Sequence, residues 1–139
     1  MRKPPLSRLA KTAMGLEGFL ALSALAGGAL LMAGPHGEFI PLPMHLLEGS
    51  MFADYFFPGF ILFAVLGLGS VAAACLAGKR HRLAPLAAGV VGLALLIWMG
   101  VEISIVGFSD NPPLQPIYIV LGVAIFWVGL AWQARQPRR

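Results

Sequence analysis

The sequence is poor in charged residues and in cysteine, and each shortage argues against a class of protein. Charged residues make up 12% of the 139 residues, against about a quarter in a typical soluble domain. A single cysteine, Cys75, excludes an internal disulfide and any metal cluster built on several thiolates. Hydrophobic residues reach 58%, with a mean hydropathy of +0.82. This balance argues against a water-soluble enzyme and against a free-standing nucleic-acid binder.

The apolar residues are concentrated in four long stretches. They cover about residues 14–33, 58–78, 84–108 and 114–132, and Glu17 and Glu102 are the only charged residues inside them. About 20 helical residues cross the ~30 Å hydrocarbon layer, where a backbone must satisfy its own hydrogen bonds. We therefore predict four membrane-spanning helices. The first stretch is longer than the apolar core of a signal peptide, so we expect it to be retained.

The basic residues are distributed unevenly along the chain. All ten lie in the amino-terminal tail, in the link between the second and third stretches, or in the carboxyl-terminal tail. Four spans place these three segments on one side of the membrane, and cytoplasmic segments collect lysine and arginine. We therefore predict a multi-pass membrane protein with both termini in the cytoplasm. The basic balance then reflects topology and implies no nucleic-acid partner.

Short polar links favour sequential helices that pack as antiparallel neighbours. The predicted fold is all-α, a transmembrane up-down-up-down four-helix bundle that forms one domain over residues 1–139. The first outer loop is longer and contains an apolar pattern from Met44 to Phe52. This pattern predicts a short amphipathic helix that lies on the membrane surface.

The outer half of the predicted bundle collects most of the candidate binding residues. Glu102 lies twenty residues beyond Arg82, which places it about 30 Å along the helix and near the outer boundary of the hydrocarbon. We predict an outer-leaflet pocket formed by Phe52, Asp54, Phe56, Trp98, Glu102, Gln115 and Tyr118. Two structural alternatives stay open: Glu102 could hydrogen bond to Ser104, Gln115 or a backbone group, and Asp54 could cap the second helix.

The remaining polar candidates are Glu17, His45 and Glu48. Glu17 enters the first span from the basic side, where pairing with Lys11, Arg80 or His81 is favoured over proton transfer. His45 and Glu48 are three residues apart and share a helical face, which makes them weak candidates for metal ligands. The sequence contains no dense metal-binding signature, so we predict neither a metal site nor a cofactor.

Three short segments carry a resemblance to a known family. They are Gly15-Leu16-Glu17-Gly18-Phe19, Asp54-Tyr55-Phe56-Phe57-Pro58-Gly59, and Gln115-Pro116-Ile117-Tyr118 followed by Leu121-Gly122. They resemble a family of small four-span bacterial membrane proteins that has no assigned activity. The resemblance implies a four-helix bundle in a bacterial inner membrane and marks Glu17, Asp54, Pro58 and Gln115 as recurring positions.

These observations lead to one functional hypothesis and two alternatives. We predict a non-enzymatic binding or accessory module for a lipid-like ligand or a partner helix, with membrane lipids, a partner membrane protein or a second copy of the chain as partners. The first alternative is a small oligomeric transporter or channel with Glu17 and Glu102 along its route. The second is a membrane enzyme that acts on lipid.

Overall fold

Four long helices make up most of the protein. The computed structural model describes residues 6–39, 44–107 and 114–136, and every regular element in these ranges is helical. The long helices are α1 (Arg8–Ala33), α2 (Phe56–Gly78), α3 (Ala84–Val106) and α4 (Leu114–Ala134), and a short 3-10 helix covers Met44–Leu47. All four long helices are long and apolar enough to cross a membrane. The predicted all-α bundle is confirmed, and the chain is a multi-pass membrane protein.

Four helix ends differ from the predicted boundaries by two to six residues, and two of them have clear local causes. α1 begins at Arg8, six residues before the predicted span, because the Ser7 hydroxyl caps it by accepting a hydrogen bond from the Ala10 N–H at 3.1 Å. α3 ends at Val106 because Gly107 adopts a φ of 83°, which a residue with a side chain rarely adopts. The sequence located the apolar segments, but these caps set their ends.

A π-helical segment interrupts α2, and the sequence did not predict it. Leu62–Leu68 has π geometry, between α-helical turns at Phe56–Ile61 and Gly69–Gly78. π-helical hydrogen bonds span one more residue than α-helical ones, so each turn is wider. Gly59 and Gly67 both lie against α1, and the wider turns between them keep both on that face.

Close contacts at glycine join the helices into two antiparallel hairpins. A Cβ atom on Gly28 of α1 would lie 2.6 Å from the Gly59 carbonyl oxygen of α2. Likewise, a Cβ atom on Gly92 of α3 would collide with the backbone nitrogen of Phe126 in α4. Small residues allow such backbone approach between helices in lipid. The bundle is therefore a pair of hairpins, α1–α2 and α3–α4.

The two hairpins pack against each other through one continuous core. The described lysines and arginines lie at one end of the bundle, which we call the basic end. Near this end the core contains small side chains: Ala10, Ala13, Ala73, Ala77, Ala84 and Ala88. Farther from that end it contains large aliphatic side chains, including Leu20, Leu66, Leu95 and Ile125. The opposite end of the bundle, which we call the acidic end, carries Asp54 and Glu102.

Candidate functional site

At the acidic end, Glu102 is held by a hydrogen bond between helices. The Gln115 side-chain amide of α4 donates to the Glu102 carboxylate at 3.2 Å and to the Gly107 carbonyl oxygen at 3.1 Å. Gln115 is buried, so this amide joins the end of α3 to the start of α4 inside the protein. Glu102 therefore makes the hydrogen bond to Gln115 that the structural alternative included.

Asp54 occupies the start of α2. Its carboxylate Oδ1 accepts a hydrogen bond from the Phe56 N–H at 2.9 Å. The first amides of a helix have no intrahelical acceptor, so this bond satisfies one of them. Asp54 thus holds the first amide of α2 from the position before the N-cap residue, Tyr55, which is close to the capping role that the structural alternative predicted.

We expect Asp54→Ala to lower the free energy of unfolding by about 1 kcal/mol, the usual cost of a lost helix cap. Asp54→Asn is the control, because its amide oxygen still accepts from the same N–H. Thermal unfolding in detergent, followed by circular dichroism, measures both variants. Equal stability of Asp54→Ala and the unchanged protein would contradict the capping role.

The aromatic residues of the predicted outer pocket have separate environments. Trp98 and Tyr118 pack against the main core, whereas Phe52 packs against a small cluster of Leu31, Leu47 and Tyr55. Phe56 is 41% exposed and contacts the Phe57 ring edge to face at 5.8 Å between centroids. Each ring thus has a packing role of its own, and a common pocket between them stays a prediction.

The segment between α1 and α2 is held against the bundle by Tyr55 rather than by polar clusters. Tyr55 is buried, its N–H donates to the Pro35 carbonyl at 2.9 Å, and burial raises the pKa of its phenol. His45 and Glu48 are both exposed, while His36 Nδ1 lies 3.7 Å from Glu38 Oε1. Within residues 6–39, 44–107 and 114–136, no three His, Cys, Asp or Glu side chains are grouped to hold a metal ion.

Glu17 is the polar residue whose environment differs most from expectation. Its side chain is 0% exposed, and neither carboxylate oxygen has a hydrogen-bond partner in the described part of the chain. The predicted pairing with Lys11, Arg80 or His81 is wrong, because all three are exposed and none bonds to it. Lys11 lies six residues earlier, about 1.7 helical turns, and so faces away from the core.

Ser70 of α2 shares this unusual environment. It is 0% exposed, and its hydroxyl oxygen has no hydrogen-bond partner among the described residues. Sequence reasoning did not include Ser70 among the candidate residues. A hydroxyl among the alanines of an uncharged span was the available signal, but it does not show which neighbours surround it.

Two cavities lie in the half of the bundle nearer the basic end. One, which we call the vestibule, has a volume of about 170 Å³ and opens at the basic end. It is lined by Leu6, Ser7, Ala10, Ala77, Arg80, His81, Trp132 and Gln136. The other, of about 200 Å³, is a groove between α3 and α4 that we call the α3–α4 groove, lined by Pro85, Leu86, Gly89, Val90, Leu93, Phe126, Gly129, Leu130 and Gln133.

Comparison of the chain with protein-family models, curated proteins and solved structures gives no match. The resemblance to a four-span bacterial family therefore stays an expectation from the short segments that carry it.

Proposed function

We propose that this protein is a non-enzymatic lipid-binding module of the membrane, which holds one acyl chain of an anionic phospholipid in the α3–α4 groove. In this proposal the basic end faces the cytoplasm of a bacterial cell, as the distribution of lysine and arginine favours. The observation that carries the proposal is a groove with an apolar lining and arginines beside its mouth.

The shape of the groove fits a lipid chain of one leaflet. From Pro85 at the basic end to Leu93, the groove follows eight residues of α3, about 12 Å of helix and less than half of the ~30 Å hydrocarbon layer. Except for Gln133 at its mouth, every lining residue is apolar or glycine. Ligand sites between the helices of a bundle combine such a lining with a few polar groups.

The charges beside the mouth favour an anionic headgroup. Arg82 precedes Pro85 by three residues, Arg135 follows Gln133 by two, and both are exposed. In the described part of the chain neither arginine has a carboxylate partner. Each basic side chain near the membrane surface attracts anionic lipid by about 1 kcal/mol. The acyl chain would therefore lie in the apolar groove while the headgroup lies beside the two arginines.

The two alternative functions receive less support from the geometry. A route between Glu17 and Glu102 would have to cross Leu20, Leu66 and Leu95, each at most 1% exposed, so transport would need a large rearrangement. A lipid-modifying enzyme would use Asp54 and Glu102, but their carboxylates are bonded to Phe56 N–H and Gln115. Lipid binding in the α3–α4 groove requires neither movement of these leucines nor release of these two carboxylates from their hydrogen bonds.

Native mass spectrometry in nanodiscs of phosphatidylglycerol or phosphatidylcholine tests the proposal. We expect one phosphatidylglycerol to be retained in preference to phosphatidylcholine. A Cβ on Gly89 meets no atom within 4 Å, so Gly89→Leu should place its side chain in the groove and displace the lipid. Gly100→Leu is the matched control on the same helix, because Gly100 also has open space and lies outside the groove.

A second pair of variants tests the headgroup. Replacing Arg82 and Arg135 by glutamine should weaken retention about fivefold per arginine, the equivalent of about 1 kcal/mol each. Replacing Arg8 and Lys11 removes the same charge from the basic end but not from beside the groove. Equal lipid loss in both double variants would contradict a specific headgroup site, and retention of lipid by Gly89→Leu would contradict the groove.

A further inference from the structure

We propose that Glu17 and Ser70 form a proton-exchange site inside the membrane, which protons reach from the basic end through the vestibule. The site is independent of the α3–α4 groove, which lies on another face of the bundle. Its ligand is the proton itself, held by the Glu17 carboxyl group, and the Ser70 hydroxyl lies at a similar depth on α2.

The Glu17 and Ser70 side chains lie at similar depths below the basic end. Ala10 and Ala77 line the vestibule on α1 and α2. Glu17 lies seven residues beyond Ala10, and Ser70 lies seven residues before Ala77 on the antiparallel helix. Seven residues are two helical turns, about 10 Å, on each helix. Glu17 and Ser70 therefore lie at nearly the same depth on two packed helices.

Glu17 and Ser70 both lack hydrogen-bond partners in the part of the chain that the structure describes. Both side chains are 0% exposed, and all three of their polar oxygen atoms lack a hydrogen bond in the described part of the protein. An unpaired charge at this depth is costly, and a buried carboxyl group avoids the cost by holding a proton. Carboxyl groups inside the membrane are rare, and proton relays are among the functions that they mark.

Among the residues that the structure describes, no other charged group competes for this position. Of the helices packed against α1, α2 contributes Cys75, which is exposed, and α3 contributes Glu102, which bonds to Gln115 near the acidic end. The described part of α4 contributes only the phenol of Tyr118, near its acidic end. The basic groups Arg8 and Lys11 of α1 are exposed at the basic end. Glu17 is therefore the only carboxyl group at its depth in the described bundle.

The packing around the two side chains favours access from the basic end. Between the vestibule and Glu17, the buried side chains on α1 and α2 are alanines, Ala13 and Ala73. One turn farther from the basic end, Leu20 and Leu66 are at most 1% exposed and pack with Leu95 and Ile125 in the same core. Small side chains leave less to displace than this aliphatic layer, so a transient water path forms more easily toward the vestibule.

Infrared spectroscopy of the full chain in phosphatidylcholine membranes tests the proposal. A protonated carboxyl group has a C=O band distinct from that of a carboxylate, and the band shifts when deuterium replaces the proton. We expect a carboxylic acid band that is lost in Glu17→Gln and retained in Glu102→Gln. After transfer to heavy water, this band should shift without unfolding of the protein.

The route is tested by narrowing the vestibule. Ala10→Leu adds three carbons to its wall, and Ala33→Leu adds the same atoms at an exposed position at the other end of α1. We expect Ala10→Leu to slow deuteration of the Glu17 band about tenfold, the equivalent of about 1.4 kcal/mol in barrier height. Ala33→Leu should leave the rate unchanged. Gln136→Trp narrows the mouth from an exposed position and replaces Ala10→Leu if that variant does not fold.

Each outcome decides the proposal. A Glu17-dependent band whose deuteration slows in the narrowed variants supports both the site and the route. If no band depends on Glu17, the carboxyl group is ionised or bonded elsewhere and the site is refuted. If the band exchanges equally fast with the vestibule narrowed, protons reach Glu17 by another path and the route is refuted.

Discussion

Gly92→Leu is expected to destabilise the bundle strongly. A Cβ atom at this position would collide with the backbone nitrogen of Phe126 and lie 2.9 Å from the Gly122 carbonyl oxygen. Backbone atoms of a helix cannot rotate away as a side chain can, so α3 and α4 would have to separate. Overpacking of this kind costs about 1–3 kcal/mol, and contact with backbone favours the upper end of that range.

Gly100→Leu is the matched control for this prediction. Gly100 lies on the same helix, is exposed, and has open space where a Cβ would be. Removal of a glycine from a helix interior gains up to about 1 kcal/mol, so this control should be neutral or more stable. Unfolding in sodium dodecyl sulfate, followed by tryptophan fluorescence, compares the two. Similar midpoints for Gly92→Leu and Gly100→Leu would contradict the close approach of α3 and α4.

Leucine substitutions at the two intramembrane glutamates are expected to change stability in opposite directions. Glu17→Leu replaces a buried carboxyl group without partners by an apolar side chain of similar size. Removal of an unsatisfied buried polar group is worth about 1–3 kcal/mol, so this variant should be more stable. Glu102→Leu removes the hydrogen bond to Gln115 and should lose about 0.6–1.7 kcal/mol, the range for such bonds between membrane helices.

The same detergent unfolding assay measures both variants, and glutamine substitutions separate charge from polarity. Glu17→Gln keeps a polar group without partners, so it should not gain the stability of Glu17→Leu. Destabilisation by Glu17→Leu would show that the carboxyl group has a stabilising partner in the membrane. A gain with Glu17→Leu together with loss of proton exchange would show that the proposed site is kept at a cost in stability, as functional sites often are.

The two glutamates also show how far sequence reasoning reaches. Each is a lone charge in an apolar span, and the sequence treated both as candidates for pairing or function. For Glu102 the favoured partners included Gln115, which is the observed one. For Glu17 the favoured partners are all exposed at the basic end. Lys11 lies on another face of α1, because a helix turns 100° at every residue, and Arg80 and His81 lie in the link that follows α2.

The sequence by itself determined the number and approximate limits of the helices and the end of the bundle that carries the basic residues. These features depend on local hydropathy and on charge, which add along the chain without reference to other segments. Only the tertiary structure decided which polar side chains have partners and where the cavities lie. Those depend on which helix faces meet and how closely, and here contacts such as Gly28 with Gly59 and the π segment Leu62–Leu68 set both. Hydropathy does not predict these contacts. Any apolar residue suits a position that faces lipid, whereas a close approach to a neighbouring backbone requires a small residue.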